Sequence, residues 1–400
     1  MDILIDVVNL TFAFIGIYFM ILYLLLFSTH KKKLLKRPRI KKFPSVSIII
    51  PAYNEEKNIK ETVENAKRLR YPGKKEVIVV DDGSTDNTYN IAKKIKGVKV
   101  LKKKNGGKAS ALNYGLRYCK GKIVVCIDSD SYPEKNALMK TIPFFSDKKV
   151  AAVTTSIVVK SAKNIIQKLQ QIEYIMIAWS RKLLEFLDAI YVTPGPMSLY
   201  RKDVLVKLGG FDEKNLTEDI EIAWRLMKHK YKIKMALDTI VYTNVPSTVK
   251  RWWKQRLRWN IGGLQTTSKY FHLFLNKEFS NIGMFVLPVF SISYLLSALG
   301  LFFIFYIILN WIRFITASLS FGFSIIGPIT LLPDLFWVLS FFSFIILFLY
   351  LHTSLKTMKK VIKMPKGILD FLVYLSVYIT IFPFNLLHSF IKFVTKKYEW

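Results

Sequence analysis

The chain has 400 residues, of which 52% are hydrophobic, and its mean hydropathy of +0.26 is too high for an ordinary soluble protein. Its formal net charge of +32 is compatible with nucleic-acid binding. Such binding requires a basic patch within a recognisable binding module, and the sequence shows neither, so no nucleic-acid partner is expected. The composition instead indicates a membrane protein whose basic residues face anionic lipid and bind nucleotide phosphates.

Long apolar runs predict where the chain crosses the membrane. Residues 5–28 form the first run, which lacks a basic start and a small-residue cleavage site, so we expect a retained helix. Three further predicted spans lie at about 283–309, 335–352 and 368–393. Residues 312–333 are also apolar, but two glycines and two prolines interrupt them, which predicts an outer, interfacial or re-entrant segment.

Two basic loops set the predicted orientation. Residues 31–42 contain eight lysines and arginines, residues 353–367 contain five lysines, and neither loop contains an acid. Such loops stay in the cytoplasm. We therefore expect a multi-pass protein of the cell membrane with four spans, in which residues 29–282 are cytoplasmic. A fifth span at 312–333 would put the second loop outside. Lys396 and Lys397 are a minor conflict, because four spans place them outside.

Strands and helices alternate after the first span. The predicted strands are apolar runs at 46–50, 76–80, 98–101 and 123–127. The predicted helices cover about 55–70, a stretch ending near residue 95, and 109–119. This alternation predicts a doubly wound, mostly parallel α/β sheet whose strand ends share one edge.

Further elements follow the fourth strand. Residues 161–190 predict a long amphipathic helix that either packs on the domain or lies on the membrane. Residues 193–200 form a loop entering a strand, and a helix at 218–229 has Thr217 as its expected N-cap. A basic, aromatic helix at 247–259 precedes the second span.

The fourth strand ends in Asp128-Ser129-Asp130, which is the best local indication of a ligand site. Open α/β sheets bind ligands at such strand ends, and two hard oxygen ligands suit Mg²⁺ or Mn²⁺ shared with substrate phosphates. A plain Asp-Ser-Asp turn is the alternative. The only cysteines, Cys119 and Cys126, flank this strand and are expected to be reduced core residues.

Six short motifs, taken together, resemble those of a family 2 glycosyltransferase. They are Pro51-x-Tyr53-Asn54-Glu55, Asp81-Asp82-Gly83-Ser84, Gly107-Lys108, Asp128-x-Asp130, Thr217-Glu218-Asp219 and Gln255-x-x-Arg258-Trp259. More narrowly, residues 44–265 resemble the membrane-embedded processive synthases of cellulose, hyaluronan, chitin and poly-N-acetylglucosamine. The resemblance implies a GT-A fold, a nucleotide-sugar donor, a divalent metal ion and inversion at the anomeric carbon.

The resemblance also implies domains and residue roles. The domains would be an N-terminal transmembrane helix, a basic cytoplasmic linker, a cytoplasmic GT-A domain and a C-terminal transmembrane region with amphipathic interface helices, at 1–28, 29–43, 44–265 and 266–400. The residues beside the nucleotide would be Pro51, Tyr53, Glu55, Asp82, Lys108 and Asp128, with Asp82 on the uracil. Asp130 and Asp128 would bind the metal ion, and Asp219 would be the general base. The diphosphate or acceptor would contact Gly195, Pro196, Glu218, Gln255, Arg256, Arg258 and Trp259.

Sugar transfer suits these residue types. A guanidinium such as that of Arg258 can stabilise the leaving diphosphate, and a carboxylate can accept the proton of the incoming hydroxyl. Asp219 lies near a predicted helix start, where the helix dipole favours its ionised form. The alternatives are that Asp219 is an ordinary first-turn carboxylate and that Trp259 is a membrane-interface anchor.

Three functions stay open at this point. The leading one is a processive polysaccharide synthase that uses a UDP-sugar and passes the glycan through its own spans. The second is transfer of a single sugar to a membrane lipid or lipid carrier. The Gln-x-x-Arg-Trp motif favours the first, although some lipid glycosyltransferases carry it. The third, a transporter or scaffold with a degenerate nucleotide-binding domain, is disfavoured by the acids at 82, 128, 130 and 219.

Overall fold

The computed structural model describes residues 2–279, 281–321, 335–362 and 368–396. Within these residues the strands are β1 Val46–Ala52, β2 Lys75–Asp81, β3 Lys99–Lys102, β4 Ile123–Cys126, β5 Ser131–Pro133, β6 Val150–Val159, β7 Ser198–Arg201 and β8 Lys232–Thr243. The helices are α1 Asp2–His30, α2 Ile59–Lys67, α3 Thr88–Lys93, α4 Lys108–Tyr118, α5 Ala137–Thr141, α6 Ile165–Leu184, α7 Lys202–Lys207, α8 Glu218–Lys228, α9 Val249–Tyr270, α10 Leu287–Phe321, α11 Leu335–Met358 and α12 Ile368–Thr395.

The strands of the described residues form one eight-stranded sheet in the order β3-β2-β1-β4-β7-β6-β8-β5. The first four strands in this order are parallel, β7 runs antiparallel to both of its neighbours, and β8 runs parallel to β6. The predicted mostly parallel, doubly wound sheet is therefore confirmed. All seven residues of β1 are buried, which is why this strand reads as a continuous apolar run.

Two hydrophobic cores cover the two faces of the sheet. Ile48 and Ile50 of β1 point into one core, whereas Ile49 points into the other, as the two-residue period of a strand requires. The core containing Ile49 also includes Leu26 of α1 and Met358 of α11. The sheet domain and the apolar helices therefore share one continuous core.

Several elements differ from the sequence predictions. Helix α2 begins at Ile59 rather than near residue 55, because residues 55–58 form a turn in which Glu55 accepts hydrogen bonds from the amides of Asn58 and Ile59. Strands β5, β6 and β8 were not predicted, although the buried run of β6 has a strand-like composition. Thr217 precedes α8 without capping it, because its hydroxyl contacts Asn215 Oδ1 instead of an amide of the first turn.

Helix α6 answers the question that its amphipathic pattern left open. It packs on β6 and also contacts the helices α1, α11 and α12. The helix therefore lies between the sheet domain and the apolar helices. Cys119 and Cys126 are free and buried, as predicted.

In the described residues, three helical segments are long and apolar enough to cross a membrane: Leu10–Lys33, Ile282–Phe302 and Phe341–Met358. They overlap the first three predicted spans, and the fourth predicted span lies within α12. Helix α10 continues to Phe321, because no glycine or proline occurs between Gly300 and Gly322. The first part of the segment predicted at 312–333 is thus helical, and residues 322–334 lie outside the described residues.

Candidate active site

A cleft lies where β1, β2 and β4 end. Parallel pairing aligns these ends, since Ala52 lies opposite Asp81 and Ile49 lies opposite Cys126. The polar residues after each strand therefore share one edge. We call residues 53–55, 81–82 and 128–130 the strand wall of the cleft, and residues 193–197, 217–219 and 255–262 the helix wall.

Lys108 joins the two walls. It is the first residue of α4, and its Nζ lies 2.5 Å from Asp128 Oδ1 on the strand wall and 3.1 Å from Glu218 Oε1 on the helix wall. Burial lowers the pKa of Lys108, but the charges of Asp128, Glu218 and Asp219 outweigh burial, so this pKa lies above its ordinary value. The lysine is therefore a fixed cation at the centre of the cleft.

Gly195 of the helix wall lies against this ion pair. A Cβ atom built on Gly195 would clash with the Lys108 ammonium and would lie 2.6 Å from Asp128 Oδ2. A side chain at this position would have to displace the ends of both side chains, which are 29% and 26% exposed. The backbone of the loop therefore closes directly over the ion pair, and the neighbouring Pro196 is half-buried.

Asp130 is a carboxylate with excess negative charge around it. Burial and the charges of Asp128 and Glu55 raise the pKa of Asp130 to about 6. Its Oδ1 accepts hydrogen bonds from Ser131 Oγ at 3.2 Å and from Thr243 Oγ1 at 3.4 Å. In the described part of the chain, no cluster of three or more His, Cys, Asp or Glu side chains forms a metal site. Asp128 and Asp130 supply carboxylate oxygens, which are the ligands that Mg²⁺ and Mn²⁺ take together with substrate phosphates.

Asp82 is engaged by the loop that leads into α4. Its carboxylate accepts hydrogen bonds from Lys103 Nζ at 2.7 Å, from the Gly107 amide at 2.7 Å and from the Gly106 amide at 3.1 Å. The side chain is 4% exposed. Asp82 thus fixes the loop that carries Lys108. Its neighbour Asp81 is fully buried, and both its carboxylate oxygens lack a hydrogen-bond partner among the described residues.

The first motif lines the outer part of the strand wall. Pro51 is buried within β1, and Tyr53 is 49% exposed at the rim. Glu55 is half-buried, and its Oε2 accepts a hydrogen bond from Asn58 Nδ2 at 2.7 Å. Burial raises the pKa of Glu55.

Asn54 is a linking residue whose role the sequence analysis did not assign. It has a left-handed backbone with φ of 53°, and its Oδ1 accepts a hydrogen bond from the Thr85 amide at 2.9 Å. The backbone amide of Asn54 donates to Ser84 Oγ at 3.0 Å. Hydrogen bonds of Asn54 therefore connect the first motif to the second. Asparagine tolerates the left-handed conformation better than most residues, which was the available signal.

Asp219 lies in the first turn of α8 and is half-buried. Its backbone carbonyl accepts hydrogen bonds from the Thr193 amide at 3.1 Å and the Thr193 hydroxyl at 2.9 Å. These bonds connect the start of α8 to the loop before β7. Burial and the Glu218 charge raise the pKa of Asp219 to about 6, whereas Lys108 and Arg258 oppose this rise. A carboxylate with this pKa is mostly ionised at neutral pH and suits proton transfer.

Helix α9 is fixed beside α8 by close packing. A Cβ atom on Gly262 would clash with the Thr217 hydroxyl, so glycine allows the two segments to touch. The Leu216 amide donates to Gln265 Oε1 at 2.9 Å. Arg258, one turn before Gly262, is exposed on the cleft side and close enough to Asp219 to lower its pKa.

Arg256 is buried, unlike Arg258, although both belong to the segment predicted to contact the diphosphate or acceptor. It is 1% exposed, forms an ion pair with Glu173 of α6, and its guanidinium lies 4.1 Å from the centre of the Trp259 ring. Arg256 therefore holds α9 against α6. Trp259 and Gln255 are half-buried. The Gln255 Oε1 atom is buried without a hydrogen-bond partner among the described residues.

Comparison with known proteins identifies the class of protein. Residues 47–209 match the family described as glycosyl transferase family 2. The chain is 32% identical over 324 residues to YdaM of Bacillus subtilis (strain 168), described as a probable glycosyltransferase, and the match covers 77% of this chain and 74% of YdaM. The chain therefore belongs to glycosyltransferase family 2.

Two further similarities refine this assignment. The chain is 32% identical over 261 residues to poly-beta-1,6-N-acetyl-D-glucosamine synthase of Staphylococcus aureus (strain COL), and the match spans 63% of each protein, less than two thirds of that relative. A mannosyltransferase from Pyrobaculum calidifontis, solved with GDP-Man and Mn²⁺, superposes with a TM-score of 0.59 over 98% of this chain and 99% of that one. Its sequence identity is 19%, so this likeness concerns the GT-A fold.

Proposed function

We propose that this family 2 glycosyltransferase is an inverting, metal-dependent polysaccharide synthase of the cell membrane that uses a UDP-sugar. The observation that carries the proposal is the position of Lys108, whose ammonium binds Asp128 on the strand wall and Glu218 on the helix wall. Residues suited to a nucleotide sugar and a residue suited to deprotonate an acceptor thereby face one cleft. The similarity to a poly-N-acetylglucosamine synthase supports a polymer as product.

The metal ion would be held by Asp128 and Asp130. Burial and the charge of Asp128 raise the pKa of Asp130, and a divalent cation would favour the ionised form of both carboxylates. When bound, Mg²⁺ or Mn²⁺ would supply positive charge against the leaving diphosphate. Lys108 adds a protein cation in the same place.

Asp219 would act on the acceptor. Its carboxylate takes the proton of the acceptor hydroxyl while that oxygen forms a bond to the anomeric carbon. The bond from the anomeric carbon to the phosphate oxygen breaks on the opposite face, which inverts the configuration, and the nucleoside diphosphate leaves with the bonding electrons. Arg258 is exposed on the cleft side, where its guanidinium can form paired hydrogen bonds to the diphosphate.

The nucleotide would bind along the strand wall beside Pro51, Tyr53 and Glu55. A uracil contact at Asp82 would replace the hydrogen bonds from the Gly106 amide, whose nitrogen lies 3.1 Å from Oδ1 and 3.2 Å from Oδ2. The shorter bond from Gly107 keeps the loop in place. This arrangement would couple recognition of the base to the position of Lys108.

The acceptor glycan would lie along the helix wall. Gly195 and Pro196 form the loop over the ion pair, Glu218 and Gln255 offer polar atoms, and the ring of Trp259 offers a flat apolar face for a sugar. Retention of the glycan on this wall between transfers would make the enzyme processive. We further propose export of the glycan through the chain's own spans.

The experiment that tests the function is incubation of the purified full chain, in lipid nanodiscs, with a panel of labelled UDP-sugars and Mg²⁺ or Mn²⁺. We expect long products on a sizing gel from one donor, and loss of transfer in excess EDTA that added metal restores. A single sugar on extracted lipid would favour the second candidate, a lipid glycosyltransferase. Failure of every donor to react, with Asp219→Asn as the blank, would contradict both.

The proposed topology keeps residues 29–282 and 353–367 in the cytoplasm, with the domains at 1–28, 29–43, 44–265 and 266–400. The basic composition of the two loops supports it. Single cysteines at Lys33, Ser320 and Lys360 can be probed with an impermeant thiol reagent in intact cells, since all three positions are exposed. We expect only Ser320→Cys to react, and reaction of Lys360→Cys would contradict four spans.

A further inference from the structure

Polar side chains of α12 bind α9 on its membrane side. Asn385 Oδ1 accepts a hydrogen bond from Asn260 Nδ2 at 2.9 Å, and Asn385 Nδ2 donates to the Trp253 carbonyl at 3.2 Å. One turn further along α12, His388 Nδ1 accepts a hydrogen bond from Trp253 Nε1 at 3.2 Å. Three hydrogen bonds thus join α12 to two positions of α9 that are seven residues apart.

The hydrogen bonds of Asn385 lie in a buried, mostly apolar environment. Asn385 is fully buried, and α12 is a predominantly apolar helix of the C-terminal region. A polar amide in such a place is costly unless both its oxygen and its nitrogen are hydrogen-bonded, as they are here. Polar residues within apolar helices of membrane proteins are commonly functional. Simple packing would have been served by leucine.

The two sides of α9 face different partners. Positions 253 and 260 lie on one face, because seven residues are close to two helical turns, and this face meets α12. Positions 255, 258 and 262 lie on the opposite face, where Gly262 touches Thr217 beside Asp219. Helix α9 therefore lies between α12 and α8, so a shift of α12 relative to α8 would move Arg258 relative to Asp219.

We propose that Asn385 and His388 are positioning residues for sugar transfer. They set the rotation and depth of α9, and thereby the placement of Arg258 and Trp259 over the cleft, without contacting the substrate. This inference rests on the proposed function, because it takes Arg258 as the diphosphate-binding residue. It also gives α12 a role in catalysis besides any role in the membrane.

The test uses the full chain in nanodiscs with the donor that supports transfer. Asn385→Leu keeps the size of the side chain and removes both of its bonds to α9. We expect kcat to fall about 3- to 20-fold, the range that corresponds to hydrogen bonds between membrane helices. The Kd for UDP, measured by calorimetry, should change by less than about twofold, because Asn385 is not beside the nucleotide.

Four further variants separate positioning from general stability. Ser389→Ala is the matched control, since the Ser389 hydroxyl is buried on α12 and, among the described residues, donates to the Asn385 carbonyl of the same helix at 2.7 Å. The double variant Asn260→Leu with Asn385→Leu should be no slower than Asn385→Leu alone, because both changes remove the same bond. His388→Gln keeps an acceptor for Trp253 and should retain more activity than His388→Leu.

The outcomes are separable. Wild-type kcat in Asn385→Leu, an equal loss in Ser389→Ala, or additive losses in the double variant would each overturn the inference. If Asn385→Leu does not fold, the His388→Gln and His388→Leu pair decides, and equal activity of the two would overturn it. If the wild-type chain transfers no labelled UDP-sugar, the proposed function fails. If the wild-type chain is active and Arg258→Leu is equally active, the inference about α12 fails, because it depends on Arg258.

Discussion

On the strand wall the candidate residues follow parallel strands, whereas on the helix wall they lie on α8, on α9 and on the loop before β7. The strand wall is held by a ladder of backbone pairing from Val46 to Ala52. The helix wall is held by side-chain contacts such as those of Gly262 with Thr217 and of Leu216 with Gln265. Its geometry therefore depends on side-chain packing, and a small change in a packed helix is enough to misplace a catalytic group.

The charges of the two walls differ as well. The strand wall is acidic at Asp82, Asp128 and Asp130, and Lys108 and Lys103 only partly balance it. On the helix wall, Glu218 and Asp219 face Lys108 and Arg258. This division fits a wall for metal and nucleotide opposite a wall for proton transfer and the acceptor. Variants that change one wall should therefore separate binding from turnover.

The largest separation is expected for Asp219→Asn on the helix wall. The amide keeps the shape of the side chain but cannot take a proton, so kcat should fall about 10²–10⁴-fold. The Kd for UDP should change little. Steady-state kinetics and calorimetry measure the two quantities. Asp203→Asn, at an exposed position of α7, is the matched control. Turnover near the wild-type rate in Asp219→Asn would rule out the base assignment.

Gly195→Ala tests the point where the walls meet. The new methyl group would displace Lys108 and Asp128, so both donor affinity and kcat should suffer, with a combined loss in kcat/KM of about 10²-fold. Gly16→Ala is the control, because a Cβ atom there meets nothing within 4 Å. Unchanged kinetics in Gly195→Ala would mean that the Lys108 ion pair has no part in transfer.

Asp82→Asn should affect binding more than turnover. Loss of its charge weakens the bonds from Lys103, Gly106 and Gly107 that fix the loop before α4. Hydrogen bonds to charged groups contribute about 1.5–3 kcal/mol, so the Kd for UDP should rise by about tenfold or more. Calorimetry compares the Kd for UDP of Asp82→Asn with that of Asp219→Asn. A fall in kcat without a change in Kd would contradict the assignment of Asp82 to the nucleotide.

The strand wall was largely predictable because its information is local. Apolar runs identify β1, β2 and β4, and parallel pairing then brings Asp82 and Asp128 to one edge. The motifs named residues of the helix wall, but the contacts that hold this wall were not predictable, because they join distant parts of the chain. The ion pair of Lys108 with Glu218 and the packing of Gly195 on that pair follow from the tertiary structure.

The neighbouring arginines of α9 illustrate what a closer reading of the sequence could add. Arg256 and Arg258 were both predicted to contact the diphosphate or acceptor, yet Arg256 is buried against Glu173 and Arg258 is exposed on the cleft side. Positions 255, 258 and 262 share one helical face and 256 does not, so helical phase alone separates the two arginines. The identity of the partner, Glu173, could not be read from that phase.

The smallest expected effect concerns pH and compares the two neighbouring carboxylates of the helix wall. Asp219 must be ionised to accept a proton, and burial together with the Glu218 charge raises its pKa to about 6. The kcat should therefore level off above this pKa and fall about tenfold for each pH unit below it. In Glu218→Gln the raising charge is gone, so the acid limb should move to lower pH even if the maximal rate drops. Stopped assays between pH 4.5 and 8, with metal held in excess, measure the acid limb of the wild type and that of Glu218→Gln. We expect the two to differ by about one pH unit or less. An acid limb that stays in place in Glu218→Gln would mean that another group controls it, because the two carboxylates are adjacent in the chain and share Lys108 as their counter-charge.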